Sequence, residues 1–327
     1  MASKALLILL LSASLAGDEE TLLLAESIPL PQVEGRFDHF AVDLKSKRLF
    51  VAALGNDTVE QISLGAGPRE AKSSGRIPGL REPQGVLVLP ETKEVAVASG
   101  KDGTLRVYRG ESLELTHTIE VGEDADNVRF DAAANRVYVG CQRTLVVVDS
   151  AKWKKVADIP LQGHAESFQL EKSGKRIFVN VPDAKHVAVV DREKRVVFAK
   201  WSLEGAEANF PMALDEAHRR LLVGCRKPAK IVVLDIDSGK QVVSLECSGD
   251  MDDLFYDASS RKIYASCGEG FIDVFEQGDA DRYRRISRVA TFPGARTSLW
   301  VAEQETLYLA VPHRGDQKAM ICIYRNR

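Results

Sequence analysis

A strong excess of one charge is absent from this chain of 327 residues, since 44 Lys and Arg against 47 Asp and Glu leave a net charge of −3. Charge alone therefore gives no indication of a nucleic-acid partner. Aromatic residues make up only 7% of the chain, while 45% of its residues are hydrophobic. This composition is typical of a soluble globular protein and excludes a disordered, collagenous or multi-span membrane chain.

Cysteine is scarce, and the familiar linear motifs of enzymes are missing. The five cysteines leave at least one thiol unpaired, and they form neither a Cys-x-x-Cys pair nor a Cys/His metal-ligand spacing. Gly-x-Ser-x-Gly, His-Glu-x-x-His, P-loop and haem-attachment motifs do not occur either. No class of enzyme is therefore indicated by a motif, and we expect no catalytic residues.

The first 16 residues have the pattern of a secretory signal peptide. Lys4 precedes an apolar run over residues 5–15, and Ser14 and Ala16 place small residues where signal peptidase cleaves. A buried strand or an uncleaved anchor are the alternatives, but the run is too short to span a bilayer. We therefore expect cleavage after Ala16 and export to the periplasm or the exterior. No later segment is long and apolar enough for a transmembrane helix.

A repeat of about 43 residues runs through the rest of the chain. Each copy has a polar entry, an apolar strand, a tight polar turn and a strand that ends in small residues. Equivalent positions are Asp43, Leu89, Asp131, Glu171, Asp215, Asp257 and Ala302. Two further β-rich runs follow in each copy, and four short strands per repeat are typical of a propeller blade.

These repeats predict an all-β protein, a seven-bladed β-propeller with four antiparallel strands per blade. We expect one domain over residues 17–327, with blades that start near residues 36, 82, 124, 164, 207, 250 and 295. The seventh copy ends before its outer strand. Residues 21–30 precede the first blade and can supply that strand, which would close the ring and cover both open sheet edges.

The repeats carry a family resemblance. Arg-Val-Tyr-Val-Gly at residues 136–140 and Arg-Ile-Phe-Val-Asn at residues 176–180 resemble the strand of YVTN repeats. The whole mature chain resembles the exported, bacterial YncE-like seven-bladed propellers, whereas the Gly-His and Trp-Asp dipeptides of WD repeats are absent from the seven copies. The resemblance implies the fold and export, and it implies little about activity because propellers host many functions.

The residues that begin the inner strands should converge on one mouth of the central channel. We expect the following residues to line a polar, acidic pocket: Asp38, His39, Gln84, Asp126, Asn127, Glu166, Asn209, Asp252, Asp253 and Arg296. Asp126, Glu166 and Asp252 are the candidate metal ligands, and an oxygen-rich set suits Ca²⁺. A mouth that is merely solvated is the alternative interpretation.

The function that we expect is an exported, monomeric, non-enzymatic scaffold that binds a small molecule or a protein partner. The first alternative is a metal-dependent hydrolase of the lactonase type, which would use the carboxylates of the mouth. The second is a nucleic-acid-binding propeller, because residues 152–155 and 282–288 combine basic and aromatic side chains. The acidic mouth makes nucleic acid the least favoured partner.

Three of the cysteines occupy the same place in their repeats. Cys141, Cys225 and Cys267 each follow the second strand of a copy, where other copies have small or apolar residues. A repeated position indicates a repeated environment, so we expect free thiols that pack between blades. Equivalent atoms in neighbouring blades should also be too far apart for a disulfide.

Overall fold

The strands of this protein form seven separate four-stranded antiparallel sheets, arranged as the blades of a propeller. A computed structural model describes residues 21–65, 67 and 69–327. The predicted signal peptide, residues 1–16, lies outside the described residues. In the described part of the chain, no helix has the length and the apolar composition that crossing a membrane requires.

Strand β1 (Leu22–Pro29) comes first in the chain, before the first blade. Blade one contains β2 (Phe40–Asp43), β3 (Arg48–Ala53), β4 (Thr58–Ser63) and β5 (Lys72–Ile77). Blade two contains β6 (Pro83–Val88), β7 (Val95–Ser99), β8 (Thr104–Tyr108) and β9 (Leu115–Glu120). Blade three contains β10 (Val128–Asp131), β11 (Arg136–Cys141), β12 (Thr144–Asp149) and β13 (Lys154–Pro160).

The remaining blades continue in the same order. Blade four contains β14 (Phe168–Leu170), β15 (Arg176–Val181), β16 (His186–Asp191) and β17 (Val196–Ser202). Blade five contains β18 (Glu207–Asp215), β19 (Arg220–Lys227), β20 (Ala229–Asp235) and β21 (Gln241–Glu246). Blade six contains β22 (Met251–Asp257), β23 (Lys262–Cys267), β24 (Phe271–Asp279) and β25 (Arg282–Ala290). Blade seven contains β26 (Thr297–Val301), β27 (Thr306–Val311), β28 (Met320–Asn326) and β1.

The predicted fold class is confirmed, including the strand that closes the ring. Strand β1 pairs antiparallel with β28, in a register that runs from Leu22 opposite Asn326 to Pro29 opposite Met320. The side chains of Leu22 and Ile28 are buried. Ile28 belongs to the apolar cluster that joins blade seven to blade one. Three short 3₁₀ helices occupy turns between strands, at Leu54–Asn56, Pro182–Ala184 and Ala302–Gln304.

The acidic residue at the end of the inner strand fixes the first hairpin of several blades. The Oδ1 atom of Asp43 accepts a hydrogen bond from the Ser46 backbone N–H at 3.1 Å, and that of Asp131 accepts one from Ala134 at 3.2 Å. An Asp side chain that bonds its own turn in this way stabilises the turn. The acid that marks the sequence repeat is therefore a structural residue.

The repeated cysteines lie in the packing between blades, as the sequence predicts. Cys141, Cys225 and Cys267 are almost completely buried, and each contributes to an apolar cluster. All five cysteines are free. Burial raises the pKa of the Cys141 and Cys225 thiols to about 12, which keeps them protonated and unreactive.

Candidate functional site

A cavity of about 460 Å³ opens at one mouth of the central channel. The first strands of neighbouring blades contact one another around the ring, so the residues just before them meet at this mouth. Nearly all of the predicted site residues line the cavity: Asp38, His39, Gln84, Asp126, Asn127, Glu166, Asp252, Asp253 and Arg296. The repeat register therefore predicts which residues lie together at this mouth, and whether the mouth is a functional site stays a prediction.

Asn209 is the predicted site residue that does not line the cavity. Its side chain is completely buried between blades four and five. The Nδ2 atom donates to Oδ1 of Asn180 at 2.9 Å and to the His186 carbonyl oxygen at 3.1 Å. Because these bonds hold the amide inside the blade interface, Asn209 is a structural residue and not a ligand-binding one.

Asp126 lies between two histidines on one wall of the mouth. Its Oδ1 atom is 3.3 Å from Nε2 of His39, and its Oδ2 atom is 3.4 Å from Nε2 of His164. Each ring also has a second carboxylate nearby, with Asp38 at 3.5 Å from His39 and Glu166 at 3.5 Å from His164. The wall thus alternates acidic and imidazole groups.

The charges on this wall are strongly coupled. Burial by itself would lower the pKa of His39 and of His164, but their carboxylate partners outweigh burial and raise both values to about 10. Burial would raise the pKa of Asp126, but the two rings hold it well below its ordinary range. In contrast, burial raises the pKa of Asp38 to about 7. Without a bound ion, the histidines carry the positive charge that balances Asp126.

Asp252, another carboxylate of the mouth, is neutralised by two arginines. Arg296 places Nε 2.9 Å from Oδ2 of Asp252, and Arg226 pairs with the other oxygen of the same carboxylate. Asp252 belongs to neither of the two groups of three metal-ligand side chains found among the described residues. The proposed ligand set of Asp126, Glu166 and Asp252 is therefore not brought together. The structure instead places His164 beside Asp126 and Glu166.

Several cationic residues of the mouth were not predicted from the sequence. Arg36, Arg129 and Arg226 all line the cavity, so the mouth is mixed in charge and not simply acidic. Arg129 follows the entry residues of blade three inside β10, and Arg226 stands at the far end of a second strand. Arg129 and Arg226 lie outside the entry positions of the repeats, and those positions were the sequence signal that predicted the other residues of the mouth.

Arg129 and Asn127 are two residues of the cavity with unused hydrogen-bonding capacity. Among the described residues, the guanidinium of Arg129 makes one hydrogen bond, to the Val128 carbonyl oxygen at 3.0 Å. No carboxylate oxygen of these residues lies within 4 Å of it. Burial lowers its pKa. Asn127 is 1% exposed, and neither its Nδ2 nor its Oδ1 atom has a partner in the described part of the chain. A buried amide left without partners costs about 1–3 kcal/mol.

The fold and the site together define a seven-bladed β-propeller with a charged cavity at the channel mouth. No protein-family model and no curated protein matches the chain. Among solved structures, the chain is similar to the hydrazine synthase of Kuenenia stuttgartiensis, with a TM-score of 0.72 and 13% sequence identity. The match covers 91% of this chain and 95% of that one. At this identity, the likeness shows the fold alone.

Proposed function

We propose that this chain is a binding protein of the YncE-like class, which holds a small molecule with an anionic group in the channel mouth. The volume of about 460 Å³ suits a small ligand. The observation that carries the proposal is the pair formed by Arg129 and Asn127. Among the described residues, the half-buried guanidinium of Arg129 has no carboxylate within 4 Å, although the charges of Asp253 and Asp126 raise its pKa. The buried amide of Asn127, two residues earlier, has no hydrogen-bond partner in the same part of the chain.

The chemistry of this pair favours a carboxylate or a phosphate. A guanidinium binds either group through two parallel N–H donors, and such charge-assisted bonds are stronger than neutral ones. The Asn127 amide can donate to a further ligand oxygen and accept from a ligand hydroxyl. A ligand that satisfies both residues removes the cost of leaving the amide unpaired.

Anion binding is tested by titrating the metal-free protein with inorganic phosphate and with succinate in a calorimeter. We expect saturable binding that weakens at least about tenfold in Arg129→Met, because a hydrogen bond to a charged group contributes about 1.5–3 kcal/mol. The matched control is Arg284→Met on β25, since Arg284 is 76% exposed and pairs with Glu276. Absence of binding by every anion tested, or equal binding by the Arg129 variant, would refute the proposal.

Export forms part of the proposal and rests on residues 1–16 and on the family resemblance. Expression of the full chain in a bacterium with separate periplasmic and cytoplasmic fractions tests it. We expect the periplasmic product to begin at Gly17 when its N-terminus is sequenced. A product that keeps Lys4 and stays in the cytoplasmic fraction would contradict export.

A metal-dependent hydrolase is the second candidate function. The observation in its favour is the group formed by Asp126, His164 and Glu166, whose ligand atoms lie within 4.8 Å of one another. An assay of lactone and ester substrates with added Zn²⁺ tests it. Turnover that is lost in His164→Gln would support a hydrolase over a binding protein.

No observation favours nucleic acid as the partner. Binding to single strands needs aromatic faces that bases can stack on. Trp153 is only 6% exposed, and its Nε1 atom donates to Glu94 at 3.2 Å. The hydroxyl of Tyr283 donates to the Ala280 carbonyl oxygen at 2.7 Å. The aromatic residues of both basic stretches are therefore engaged in structural contacts.

A further inference from the structure

Three side chains of the mouth have the spacing of a metal-ligand set. The Nε2 atom of His164 is 3.4 Å from Oδ2 of Asp126 and 3.5 Å from Oε2 of Glu166. Hydrogen bonds between an imidazolium and a carboxylate are shorter, at about 2.7–2.9 Å. Ligands that lie about 2.0–2.1 Å from a tetrahedral ion are separated by roughly 3.3–3.4 Å, which is close to the spacing observed here.

A second carboxylate lies beside the histidine. The Nδ1 atom of His164 is 3.0 Å from Oδ2 of Asp124, an ion-pair contact on the ring nitrogen that faces away from Asp126 and Glu166. Gln84 in turn donates to the other oxygen of Asp124 at 3.2 Å. Histidine ligands of metals are commonly held by a carboxylate on their second nitrogen. This contact is independent of the spacing of the three donor atoms.

The backbone fixes the three residues in place without any ion. The N–H of Asp126 donates to the Gly140 carbonyl oxygen at 2.9 Å, and that of Glu166 donates to Asn180 at 3.1 Å. The N–H of His164 donates to a side-chain oxygen of Asp183 at 3.0 Å. The side chains are 7%, 15% and 19% exposed for Asp126, His164 and Glu166. The group is therefore both preorganised and reachable from the cavity.

We propose that Asp126, His164 and Glu166 bind one divalent transition-metal ion of the Zn²⁺ type and leave a fourth position open to the cavity. One nitrogen and two carboxylate oxygens suit Zn²⁺, whereas Ca²⁺ takes six to eight oxygens. Three protein ligands and an open position are typical of zinc sites that bind a ligand or activate water. The inference deepens the proposed function, since the ion would lie in the same mouth.

A competing group shares Asp126 but has weaker support. Asp38 and His39 also lie within 4.8 Å of a carboxylate oxygen of Asp126. Both carboxylate contacts of His39 are made by Nε2, and no carboxylate of the described residues lies within 4 Å of its other ring nitrogen, whereas Nδ1 of His164 lies 3.0 Å from Asp124. We therefore assign the ion to the His164 side of Asp126.

Metal analysis of the mature protein tests the assignment. The protein is stripped with a chelator, incubated with ZnCl₂ in the presence of excess CaCl₂, desalted and analysed by mass spectrometry. We expect one Zn²⁺ per chain in the wild type and in His39→Gln, and loss of the ion in His164→Gln. His218→Gln is the control, because His218 pairs with Asp215 at 2.8 Å in a turn outside the cavity. This variant should keep one Zn²⁺ per chain.

A second, milder variant distinguishes loss of the metal site from misfolding of the protein. Asp124 is 52% exposed, so Asp124→Asn should fold normally and weaken Zn²⁺ binding about 10–100-fold in competition with a chromophoric chelator. A wild type that retains no Zn²⁺, or an ion lost in His39→Gln and kept in His164→Gln, would overturn the assignment. Phosphate binding by the metal-free protein tests the proposed function separately, so the two failures can be told apart.

Discussion

Removal of residues 17–32 should abolish the cooperative unfolding transition of the mature protein. The deletion takes away β1, which is the outer strand of blade seven and joins the N-terminal segment to β28 near the C-terminus. It also removes Ile28 and Leu30 from the cluster between blades seven and one, and it leaves β28 with an unpaired edge. Exposed edges and apolar surface lead to aggregation. Thermal melting and light scattering measure both effects.

Point variants within β1 separate burial from strand pairing. Leu22→Ala and Ile28→Ala should each lower the free energy of unfolding by about 2–4 kcal/mol, because both side chains are buried. Leu23→Ala and Leu24→Ala are the matched controls, since these leucines are 42% and 50% exposed and should change it by less than about 0.5 kcal/mol. A deletion variant that melts like the parent, or equal effects of both pairs, would contradict closure by β1.

Asn209→Ala should lower the free energy of unfolding by roughly 2–3 kcal/mol, because it leaves buried acceptors of Asn180 and His186 without a donor. Asn180 in turn donates to the Phe210 carbonyl oxygen at 2.9 Å, so the two amides join blades four and five as one unit. The effects of Asn180→Ala and Asn209→Ala should therefore be less than additive in the double variant. Chemical denaturation of the three variants measures this.

Asn127→Ala is the matched control for that experiment. Asn127 is as deeply buried as Asn209, but its amide has no partner in the described part of the chain. The substitution should therefore not lower the stability of the ligand-free protein, because it removes an amide whose lack of partners costs about 1–3 kcal/mol, and it should weaken phosphate binding. If Asn127→Ala destabilised the protein as much as Asn209→Ala, the difference that we draw between a structural and a functional amide would be wrong.

The fold could be predicted because the sequence repeats itself. The Asp that ends an inner strand, as in Asp43 and Asp131, marks the first hairpin of several blades by a turn that depends on that residue type. The last repeat has one strand fewer than the others, and the β-rich residues 21–30 lie outside the repeats. Counting the strands of each repeat therefore also predicts that residues 21–30 complete the last blade and close the ring. These features are local or periodic, which is why sequence alone reveals them.

The chemistry of the mouth could be predicted only in part, because it depends on neighbours in other blades. Asn209 and Asn127 both lie at the polar entries of their repeats. Asn209 hydrogen-bonds Asn180 across a blade interface, whereas Asn127 has no hydrogen-bond partner among the residues that the structure describes. Asp252 meets Arg226 and Arg296 from adjacent positions of the ring. Such pairings are set by the angle between blades and leave no periodic signal.

The negative charges of the acidic residues at the mouth are balanced within the protein. Arg226 and Arg296 neutralise Asp252, while His39 and His164 lie against Asp126. The acidic mouth inferred from the entry positions thus becomes a site of both signs. Arg129 and Asn127 remain the reason for proposing an anionic ligand, and the position of His164 is the reason for favouring Zn²⁺ over Ca²⁺.

A crystal structure of the mature protein grown with ZnCl₂ and phosphate, with anomalous data at the zinc edge, tests the functional role of the mouth most directly. We expect one strong anomalous peak about 2.0–2.2 Å from the ligand atoms of Asp126, His164 and Glu166. We also expect phosphate density in contact with Arg129 and Asn127. Zinc found only on the outer surface, with a mouth that holds water alone, would contradict the account.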